Sequence, residues 1–493
     1  MKRSDIVGHF MMIMLVVWFT SCTHKDRSTD QGETPGKEEG LVFTSSDEEL
    51  VSSFNWAKQK ALSYVGNSND PSGPWYEAAL PQREAFCMRD VSHQCIAAEY
   101  LGLHEQNKNM MHLFVKNISK SKDWCSYWEI NRYNKPAPAD YRNDKEFWYN
   151  LPANFDVIQA CYRLYKISGD KTFIEDKDFL NFYEKSVNEY ISHWHLMEDQ
   201  LLTRPRYLNT AEPFNENDPF HYAHGLPSYI EGGKALRIGS DMVASIYAGL
   251  TSYAKILQIR GENDRADEYL KKAEKYQKHL FSKWWDEKDK TYYSYFTMND
   301  EFKHSEPATF MLWFDAVKDK NRLNDVLNDL ASKTYNVENT SYLPYLFYKH
   351  GRKVDAYHTI KTLTSPETKR RDYPEVSFGV IHGFVEGMMG ISVDADDRVI
   401  SVKPNLISAV EWAGLENLKL LSTTLSVKHT GKNKTEVMNA GRKAVKIRFC
   451  FDDMYKSMQI NGEKIELVQD LDNGNICHTV ECKPGEKITA TAE

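Results

Sequence analysis

The residues best suited to chemistry in this chain are acidic side chains that stand beside arginines in polar segments. Asp90 follows Arg89 at the start of a predicted helix, and Arg83 or Arg89 would hold its carboxylate in the charged form. A charged carboxylate accepts hydrogen bonds from sugar hydroxyls, although a first-turn partner of the helix dipole has the same pattern. Asn154 and Asp156 lie in the first turn of another predicted helix, where a cap explains one polar residue more easily than several.

Aromatic side chains accompany these polar groups in the long connections between predicted helices. They are Trp75-Tyr76, Trp124, Tyr127-Trp128, Trp148-Tyr149, Tyr222 and Tyr229. Flat aromatic faces suit sugar rings, which have apolar C–H faces and hydroxylated rims. Trp148 and Tyr222 are therefore candidate binding residues, with plain core packing as the alternative.

Two further polar residues stand at helix boundaries. Asp241 begins a predicted helix after Ser240, where a cap competes with a substrate contact. His382 could position water, whereas a buried, hydrogen-bonded histidine is the alternative.

Arginines are frequent in the same connections. They are Arg204, Arg206, Arg237, Arg370 and Arg371. A guanidinium group binds a carboxylate through two hydrogen bonds, so this group would suit a uronic-acid glycoside such as a β-glucuronide. The alternative is that these arginines balance a net-acidic surface.

The elements that position these residues follow from the apolar spacing, which predicts a mostly α-helical fold. Twelve helices are expected at 48–65, 86–103, 105–119, 152–167, 175–196, 236–260, 263–287, 306–318, 321–334, 341–350, 353–364 and 376–390. Short connections alternate with longer ones, so successive helices run antiparallel and the longer connections emerge at one end. Loops gathered on one face of a rigid scaffold usually carry function. Residues 47–390 are therefore predicted to form an (α/α)6 toroid of six helical hairpins, with an open solenoid as the alternative.

The last part of the chain has a different pattern. Residues 391–493 contain alternating and β-branched segments, with hairpin signals at Asn461-Gly462 and Asn473-Gly474. They are predicted to form a small antiparallel β-sandwich that serves for packing, because no cluster of ionisable residues is visible there.

The first residues are predicted to direct export. Residues 1–22 have a charged start, a short apolar core and small residues before Cys22, which is typical of a lipoprotein signal peptide. An ordinary signal peptide with an incidental cysteine is the alternative. Residues 23–46 are expected to be a flexible tether. The predicted location is the outer membrane or periplasm, with a lipid anchor as the membrane contact.

Composition excludes other classes of partner. The chain has 62 Lys and Arg against 70 Asp and Glu, a net charge of −8, and no long basic run, so nucleic acid is not expected as a partner. The cysteines have neither CxxC nor zinc-finger spacing, so a structural metal site is not expected. No cofactor is expected either. A disulfide between Cys477 and Cys482 stays open, as does the oligomeric state.

The Arg89-Asp90 pair, the segment from Trp148 to Asp156 and the segment from Tyr373 to Gly383 resemble the six-hairpin glycosidases. These are (α/α)6 glycoside hydrolases with an appended β-sandwich, common among exported enzymes of gut Bacteroidetes. At the level of architecture, the resemblance extends over roughly residues 48–490.

The resemblance implies two catalytic carboxylates. An acid lies in the loop before the sixth helix and a base lies just before the twelfth, positions that Glu231 and Glu375 occupy here. In such enzymes the acid protonates the leaving oxygen and the base activates water, and an inverting pair stands roughly 6.5–9.5 Å apart. Other loop carboxylates compete for the role of the acid: Glu84, Glu212, Glu216 and Asp218.

The leading hypothesis is an exo-acting, inverting, metal-independent glycoside hydrolase that acts on a plant or host polysaccharide fragment. A polysaccharide lyase that uses His221, Tyr222 or His224 is a second hypothesis. A non-catalytic surface glycan-binding lipoprotein is the third.

Overall fold

The computed structural model describes residues 40–78, 80–205, 224–231, 235–465, 468–469 and 474–493. The predicted signal peptide 1–22 with Cys22, and residues 23–39 of the predicted tether, lie outside these residues. Each helix in the described part of the chain is too short or too polar to cross a membrane.

Helices form most of the described chain before residue 390. They are α1 (Glu48–Ser63), α2 (Met88–Tyr100), α3 (His104–Val115), α4 (Ala153–Ser168), α5 (Thr172–Glu175), α6 (Lys177–Lys185), α7 (Ile191–His193), α8 (Ser240–Ile259), α9 (Asn263–Lys283), α10 (Thr309–Trp313), α11 (Lys320–Ser332), α12 (Val337–Lys349), α13 (Lys353–Thr364) and α14 (Pro374–His382). Two π-helical turns, Ser186–Tyr190 and Gly383–Met388, continue α6 and α14. Each of the twelve predicted helical segments overlaps one of these helices.

Several predicted boundaries are wrong by a few residues. The helices expected from 86 and 236 begin later, because Ala85–Cys87 and Leu236–Gly239 are strands. The helix expected over 306–318 is reduced to α10. Pro307 disfavours helical backbone at the residue before it, and Asp315 has a positive φ of 54° that ends the helix.

The helices pack in two layers. Going around, α2 packs on α4, α4 on α8, α8 on α10, α10 on α12, α12 on α14, and α14 on α2 again. A second layer packs outside, with α3 on α2, α9 on α8, α13 on α12 and α1 on α14. This order of neighbours is consistent with an α/α toroid.

Close approach between α12 and α14 depends on glycine. A Cβ at Gly379 would fall too near the backbone oxygen of Ser341, and one at Gly383 would lie 2.5 Å from Cβ of Pro344. Because these positions carry no side chain, α14 can lie against α12, which brings the first turns of the two helices together.

The long connections contain small sheets. Their strands are β2 (Ala85–Cys87), β3 (Glu129–Asn131), β4 (Lys135–Pro136), β5 (Tyr141–Asn143), β6 (Glu146–Phe147), β7 (Tyr149–Asn150), β8 (His224–Leu226), β9 (Leu236–Gly239), β10 (Trp285–Asp286), β11 (Thr291–Tyr292), β12 (Tyr295–Thr297) and β13 (Phe302–Lys303), and β1 (Val42–Ser45) precedes them. They pair as β2-β3-β4, β5-β6, β7-β8, β13-β12-β9 and β10-β11. These pairings fix the backbone of the paired segments.

The C-terminal part contains two larger sheets. Its strands are β14 (Ser392–Asp394), β15 (Val399–Val402), β16 (Trp412–Leu420), β17 (Thr423–Thr430), β18 (Lys434–Asn439), β19 (Val445–Phe451), β20 (Met458–Ile460), β21 (Glu463–Ile465), β22 (Val468–Gln469), β23 (Ile476–Cys482) and β24 (Lys487–Ala492). One sheet has the order β1-β16-β17-β18-β24-β20-β21 and the other β14-β15-β19-β23-β22. As predicted, Asn461-Gly462 forms the turn between β20 and β21, whereas Asn473 lies outside the described residues.

Two details of this region correct the sequence analysis. The sheets are not purely antiparallel, since β15 pairs with β19 in parallel. Residues 42–45, expected to belong to the tether, form β1 and pair with Ala413–Glu416 of β16. Phe43 of β1 is buried between Phe54 and Phe384, with ring centroids 5.3 Å and 4.7 Å away, so this segment belongs to the core.

The disulfide does not join Cys477 to Cys482, the pair considered from the sequence. Cys477 is bonded to Cys450, its cross-strand neighbour on β19, and Cys482 is a free, buried cysteine.

The sheets contact α14 at its C-terminal end. His429 Nε2 lies 3.0 Å from the backbone oxygen of Met389, and Asn405 donates a hydrogen bond to that of Gly387 (2.8 Å). From Pro374 to Met388, helix and π-turn span about 20 Å. The sheets therefore support α14 at the end opposite its first turn.

Candidate active site

The candidate site lies where the first turns of several helices meet. Asp90 is in the first turn of α2, Glu338 in that of α12 and Glu375 in that of α14. Glu231 precedes β9, which leads into α8. Asp90, Glu231 and Glu338 lie beside Arg89. The charges of Arg89, Asp90 and Glu338 act on Glu375, and the five residues are called the Arg89 cluster below.

Arg89 makes the central contacts of this cluster. Its Nη2 lies 2.8 Å from Glu338 Oε1, its Nη1 3.9 Å from Glu231 Oε1 and its Nε 3.8 Å from Asp90 Oδ2. Nε is buried and forms no hydrogen bond with the described residues. Burial disfavours the charged guanidinium, but the surrounding carboxylates outweigh this effect and raise the pKa of Arg89 well above its usual value.

Glu375 is the most deeply buried catalytic candidate. It follows Pro374 at the start of α14, is 7% exposed and accepts no hydrogen bond from a described side chain. Burial, and then the charges of Asp90 and Glu338, raise the pKa of Glu375 to about 8. In the free protein Glu375 therefore holds its proton near neutral pH.

Asp90 shares this environment. Burial raises the pKa of Asp90 above its usual value, Arg89 opposes that shift and Glu338 adds to it. The segment that precedes α2 pairs Arg83 with Glu129 (2.6 Å) instead, so of the two arginines considered, Arg89 is the one beside Asp90.

Glu231 lies on the open side of the cluster. Its side chain is 48% exposed. Loss of solvent on its protein-facing side raises the pKa of Glu231, while Arg89 lowers it and Glu338 and Asp90 raise it. Glu231 and Glu375 thus interact with the same three charged groups, so the two predicted catalytic carboxylates border one cluster.

The ring of Tyr229 packs against Arg89. The guanidinium carbon lies 5.3 Å from the centre of the Tyr229 ring, a cation–π arrangement. The Tyr229 hydroxyl donates to Asp156 Oδ2 (2.8 Å), which also accepts from His93 Nε2 (2.6 Å). His93 Nδ1 is in turn 2.8 Å from the Tyr342 hydroxyl. This buried chain of hydrogen bonds connects α2, α4 and α12 to the segment that carries Glu231.

Asp241 fixes the same segment from α8. Its carboxylate accepts hydrogen bonds from Ser228 Oγ (2.9 Å) and from the backbone N–H groups of Tyr229 (2.5 Å) and Met242 (2.9 Å). Burial raises the pKa of Asp241 to about 6 although these donors favour the anion. Asp156 and Asp241, both predicted to bind substrate, therefore have partners within the protein that hold Tyr229 in place.

Trp148 and Asn154 are buried. Asn154 accepts from the Tyr149 hydroxyl and donates to Ser186 Oγ (3.0 Å), so its amide stabilises the connection before α4. The candidates Arg206 and Tyr222 lie outside the described residues.

His382 lies two turns along α14 from Glu375. Its Nε2 is 2.9 Å from Glu386 and 3.1 Å from Arg163, and its ring stacks on Tyr345 with centroids 3.9 Å apart. Burial lowers the pKa of His382. The imidazole is thus engaged in a deeper layer than the Arg89 cluster.

Most of the described arginines of the predicted uronate group face other partners. Arg204 donates to the backbone oxygens of Trp194 (3.0 Å) and Arg237 (2.9 Å), and Arg237 pairs with Asp300 (2.8 Å).

The remaining two arginines flank the segment before α14. Arg371 lies over the Trp56 ring at 4.2 Å, and Arg370 lies over the Tyr373 ring at 5.5 Å beside the candidate site.

Among the rival acids, Glu84 is 56% exposed and pairs with Arg132 (2.8 Å), away from the contacts of Arg89. Glu212, Glu216 and Asp218 lie outside the described residues. His221 and Tyr222 also lie outside the described residues, and only the backbone of His224 is described. The side chains of the lyase hypothesis therefore have no described geometry.

Glu338 is a site residue that was not predicted from the sequence. It follows Asn336, whose side chain caps α12 by accepting from the N–H of Asn339 (2.8 Å), so the segment has the pattern of an ordinary helix start. One feature of the sequence could have identified Glu338: its connection lies on the same side of the predicted toroid as the connections that contain Glu231 and Glu375.

Two cavities adjoin Glu338. A small one is lined by Tyr229, Asp241, Glu306, Phe310 and Asn339. A groove of about 680 Å³ is lined by Glu375 and by residues of α12, α13 and the connections before α12 and α14. Glu338 lines both, so it stands on the wall between them.

Two groups of described residues could hold a metal ion: His112, Asp176 and Asp178, and Asp286, Asp289 and His304. Neither group includes a residue of the Arg89 cluster.

No protein-family model matches the chain, and no curated protein matches it in sequence. Solved structures do resemble it. An α-L-rhamnosidase from Dictyoglumus thermophilum has a TM-score of 0.62 at 14% identity, over 92% of this chain and 50% of that one. A GH78 family rhamnosidase of Bacillus sp. GL1 has a TM-score of 0.56 at 12% identity, over 81% and 40%.

A putative kojibiose phosphorylase from human microbiome has a TM-score of 0.55 at 10% identity, over 91% of this chain and 68% of that one. The chain spans half or less of the two rhamnosidase chains. At these identities the likeness concerns the fold: a helix-rich assembly with a sheet region, shared with solved carbohydrate-active enzymes.

Proposed function

We propose that this protein is an exo-acting glycoside hydrolase built on an (α/α)6 toroid of six helical hairpins, with Glu231 and Glu375 as its catalytic carboxylates. The observation that carries the proposal is the Arg89 cluster, in which Glu231 lies 3.9 Å from the guanidinium and the charges of the same cluster act on Glu375, from a distant connection. The fold likeness to rhamnosidases and to a putative phosphorylase supports an enzyme that acts on glycosides.

In the proposed mechanism, Glu231 protonates the leaving oxygen and Glu375 activates water from the opposite side, which inverts the anomeric centre. Glu231 suits the acid because it is half-exposed, where a leaving group can depart, and its raised pKa favours the protonated form. Glu375 suits the base because burial protects the attacked face from bulk solvent.

The raised pKa of Glu375 sets a pH dependence for this assignment. The pair acts with one carboxyl ionised and the other protonated, so kcat/KM should pass through a maximum with pH and fall once both groups have lost their protons. A kcat/KM that does not change with pH between about 5 and 9 would contradict the assignment of this pair of carboxyls.

The substrate is proposed to be a plant or host polysaccharide fragment. A uronic-acid glycoside is not the favoured substrate, because Arg204 and Arg237 form hydrogen bonds or ion pairs with other groups of the protein. It is included among the compounds tested below. Arg89 itself is already surrounded by carboxylates.

The test is a screen of the purified protein on aryl glycosides, including glucuronides and rhamnosides, and on plant oligosaccharides. A hydrolase releases a single sugar from the chain end. A lyase would leave an unsaturated sugar that absorbs in the ultraviolet, and a glycan-binding protein would bind without turnover. Either of these last two results would overturn the proposal.

We also propose that the protein is an exported lipoprotein, held in the outer membrane or periplasm through Cys22. The sequence of residues 1–22 carries this proposal. The Cys450–Cys477 disulfide agrees with it, because disulfides persist in oxidising compartments. Radiolabelled palmitate should label the wild type and not the Cys22→Ser variant; equal labelling would contradict lipidation at this residue.

A further inference from the structure

The groove beside the Arg89 cluster is much larger than the cavity on the other side of Glu338. It runs along α13 from Asp355 to Leu363, a helix length of about 12 Å, and its upper end reaches Glu338 and Glu375. A space of about 680 Å³ falls in the range of ligand sites and extends beyond the dimensions of one sugar ring.

The lining of the groove suits a carbohydrate chain. Tyr335 and Tyr373 offer partly exposed aromatic surface. The hydroxyls of Thr359, Thr362 and Thr368 donate to backbone oxygens of their own segment, which leaves their lone pairs able to accept hydrogen bonds from a ligand. Aromatic faces next to hydroxyl groups match the apolar faces and polar rims of sugar rings.

The edge of the groove adds two cationic donors. Lys369 and Arg370 are exposed and line the groove. Neither forms an ion pair with a described carboxylate, so both can donate hydrogen bonds to ligand oxygens.

The position of the groove relative to the proposed catalytic pair defines what it would hold. Glu375 lies at its end, and the small cavity with Tyr229 and Asp241 lies beyond Glu338. An exo-acting enzyme encloses the sugar that it releases and leaves the rest of the chain in an open space. The groove matches the second requirement.

We propose that this groove binds the remainder of an oligosaccharide chain beyond the cleaved bond, so the substrate is a glycan of several units rather than a disaccharide. This inference rests on the proposed function. It identifies α13 and the connection before α14 as the surface that selects for chain length.

The experiment compares kcat/KM for an aryl monosaccharide with kcat/KM for pectic and xylan oligosaccharides of two to five units. In the wild type, lengthening a cleaved oligosaccharide from two to four units should raise kcat/KM at least tenfold. The Thr362→Trp variant fills the groove with an indole from an exposed position of α13. It should lower the ratio of tetrasaccharide to aryl-monosaccharide kcat/KM about tenfold.

Val354→Trp is the matched control, because Val354 is 55% exposed on the same helix and does not line the groove. It should keep the wild-type ratio, and both variants should keep the wild-type unfolding temperature. Equal kcat/KM for two and four units, or a wild-type ratio in Thr362→Trp, would overturn the groove assignment while leaving hydrolysis intact. Absence of hydrolysis on every probe would instead overturn the proposed function.

Discussion

The hydroxyl of Tyr229 lies 2.8 Å from Oδ2 of Asp156, a carboxylate that is only 1% exposed. Through this hydrogen bond the start of α4 fixes the Tyr229 ring, which packs against Arg89. Glu231 lies two residues after Tyr229, so its position is fixed as well. The backbone N–H of Tyr229 is held separately by Asp241. The proposed acid therefore belongs to a segment that is fixed at two points by buried carboxylates.

Tyr229→Phe removes the first of these two points. A hydrogen bond to a charged group contributes about 1.5–3 kcal/mol, so the variant should lose stability and the aromatic support of Arg89 should loosen. We expect kcat to fall about tenfold and KM to change less than threefold, as measured by steady-state kinetics on the best substrate of the screen.

Tyr276→Phe is the matched control for this variant, since its hydroxyl donates to the backbone oxygen of Leu196 (2.8 Å), a contact that involves no residue of the Arg89 cluster. It should lose stability without a change in kcat. A wild-type kcat in Tyr229→Phe, or an equal fall of kcat in both variants, would remove Tyr229 from the positioning of the site.

Glu338→Gln tests the carboxylate that the sequence analysis missed. Glu338 raises the pKa of both Glu375 and Asp90, so removing its charge should lower the pKa of each. We expect the pH profile of kcat/KM to move to lower pH in this variant. Glu84→Gln is the control, because its ion pair with Arg132 lies outside the cluster. An unchanged pH profile in Glu338→Gln would show that Glu338 does not act on the catalytic pair.

The buried Glu375 also makes a prediction about stability that does not need a substrate. Its pKa is about 8 in the folded protein and 4.5 as the ordinary value, so the folded state retains the proton over this interval and the unfolded state loses it. The free energy of unfolding should therefore decrease from pH 4.5 to pH 8, by a few kcal/mol in the contribution of this group.

Denaturant unfolding at pH 5, 6.5 and 8 measures this dependence in the wild type and in Glu375→Gln, whose side chain does not titrate. The variant should show a clearly shallower decrease with pH. If both proteins gave the same dependence, Glu375 would not be a carboxyl with a raised pKa.

The contact between α12 and α14 gives a prediction about packing. Gly379→Ala places a Cβ too near the backbone oxygen of Ser341, and such overpacking typically costs about 1–3 kcal/mol. We expect a lower unfolding temperature by calorimetry. Val354→Ala, an exposed change on α13, should leave the unfolding temperature within a degree or two of the wild type. A stability of Gly379→Ala equal to that of the wild type would mean that α14 can shift away from α12 without loss.

The sequence predicted the helices well because their period is local. Apolar residues that recur with the helical period identify a helix wherever it packs. The pairing of β1 with β16 joins Val42 to Glu416, and no local pattern specifies a partner so distant in the chain. The same reason explains the missed parallel pairing of β15 with β19 and the Cys450–Cys477 disulfide.

The site was predicted in part for a similar reason. Arg89 and Asp90 are neighbours in sequence, so their pairing could be expected. The chain from Tyr229 through Asp156 to His93 depends on three separate elements, and a carboxylate in a first turn has the same sequence pattern whether it binds a sugar or a tyrosine. Burial distinguishes the two, and burial is a property of the fold.

Turnover by Glu375→Gln and Glu231→Gln, measured beside Glu84→Gln on the best substrate of the screen, tests the central claim most directly. Loss of a catalytic acid or base typically lowers the rate about 10²–10⁴-fold, and we predict a loss of this size in each of the first two variants, with wild-type turnover in the third. Near-wild-type turnover in a folded Glu375→Gln or Glu231→Gln protein would contradict the account.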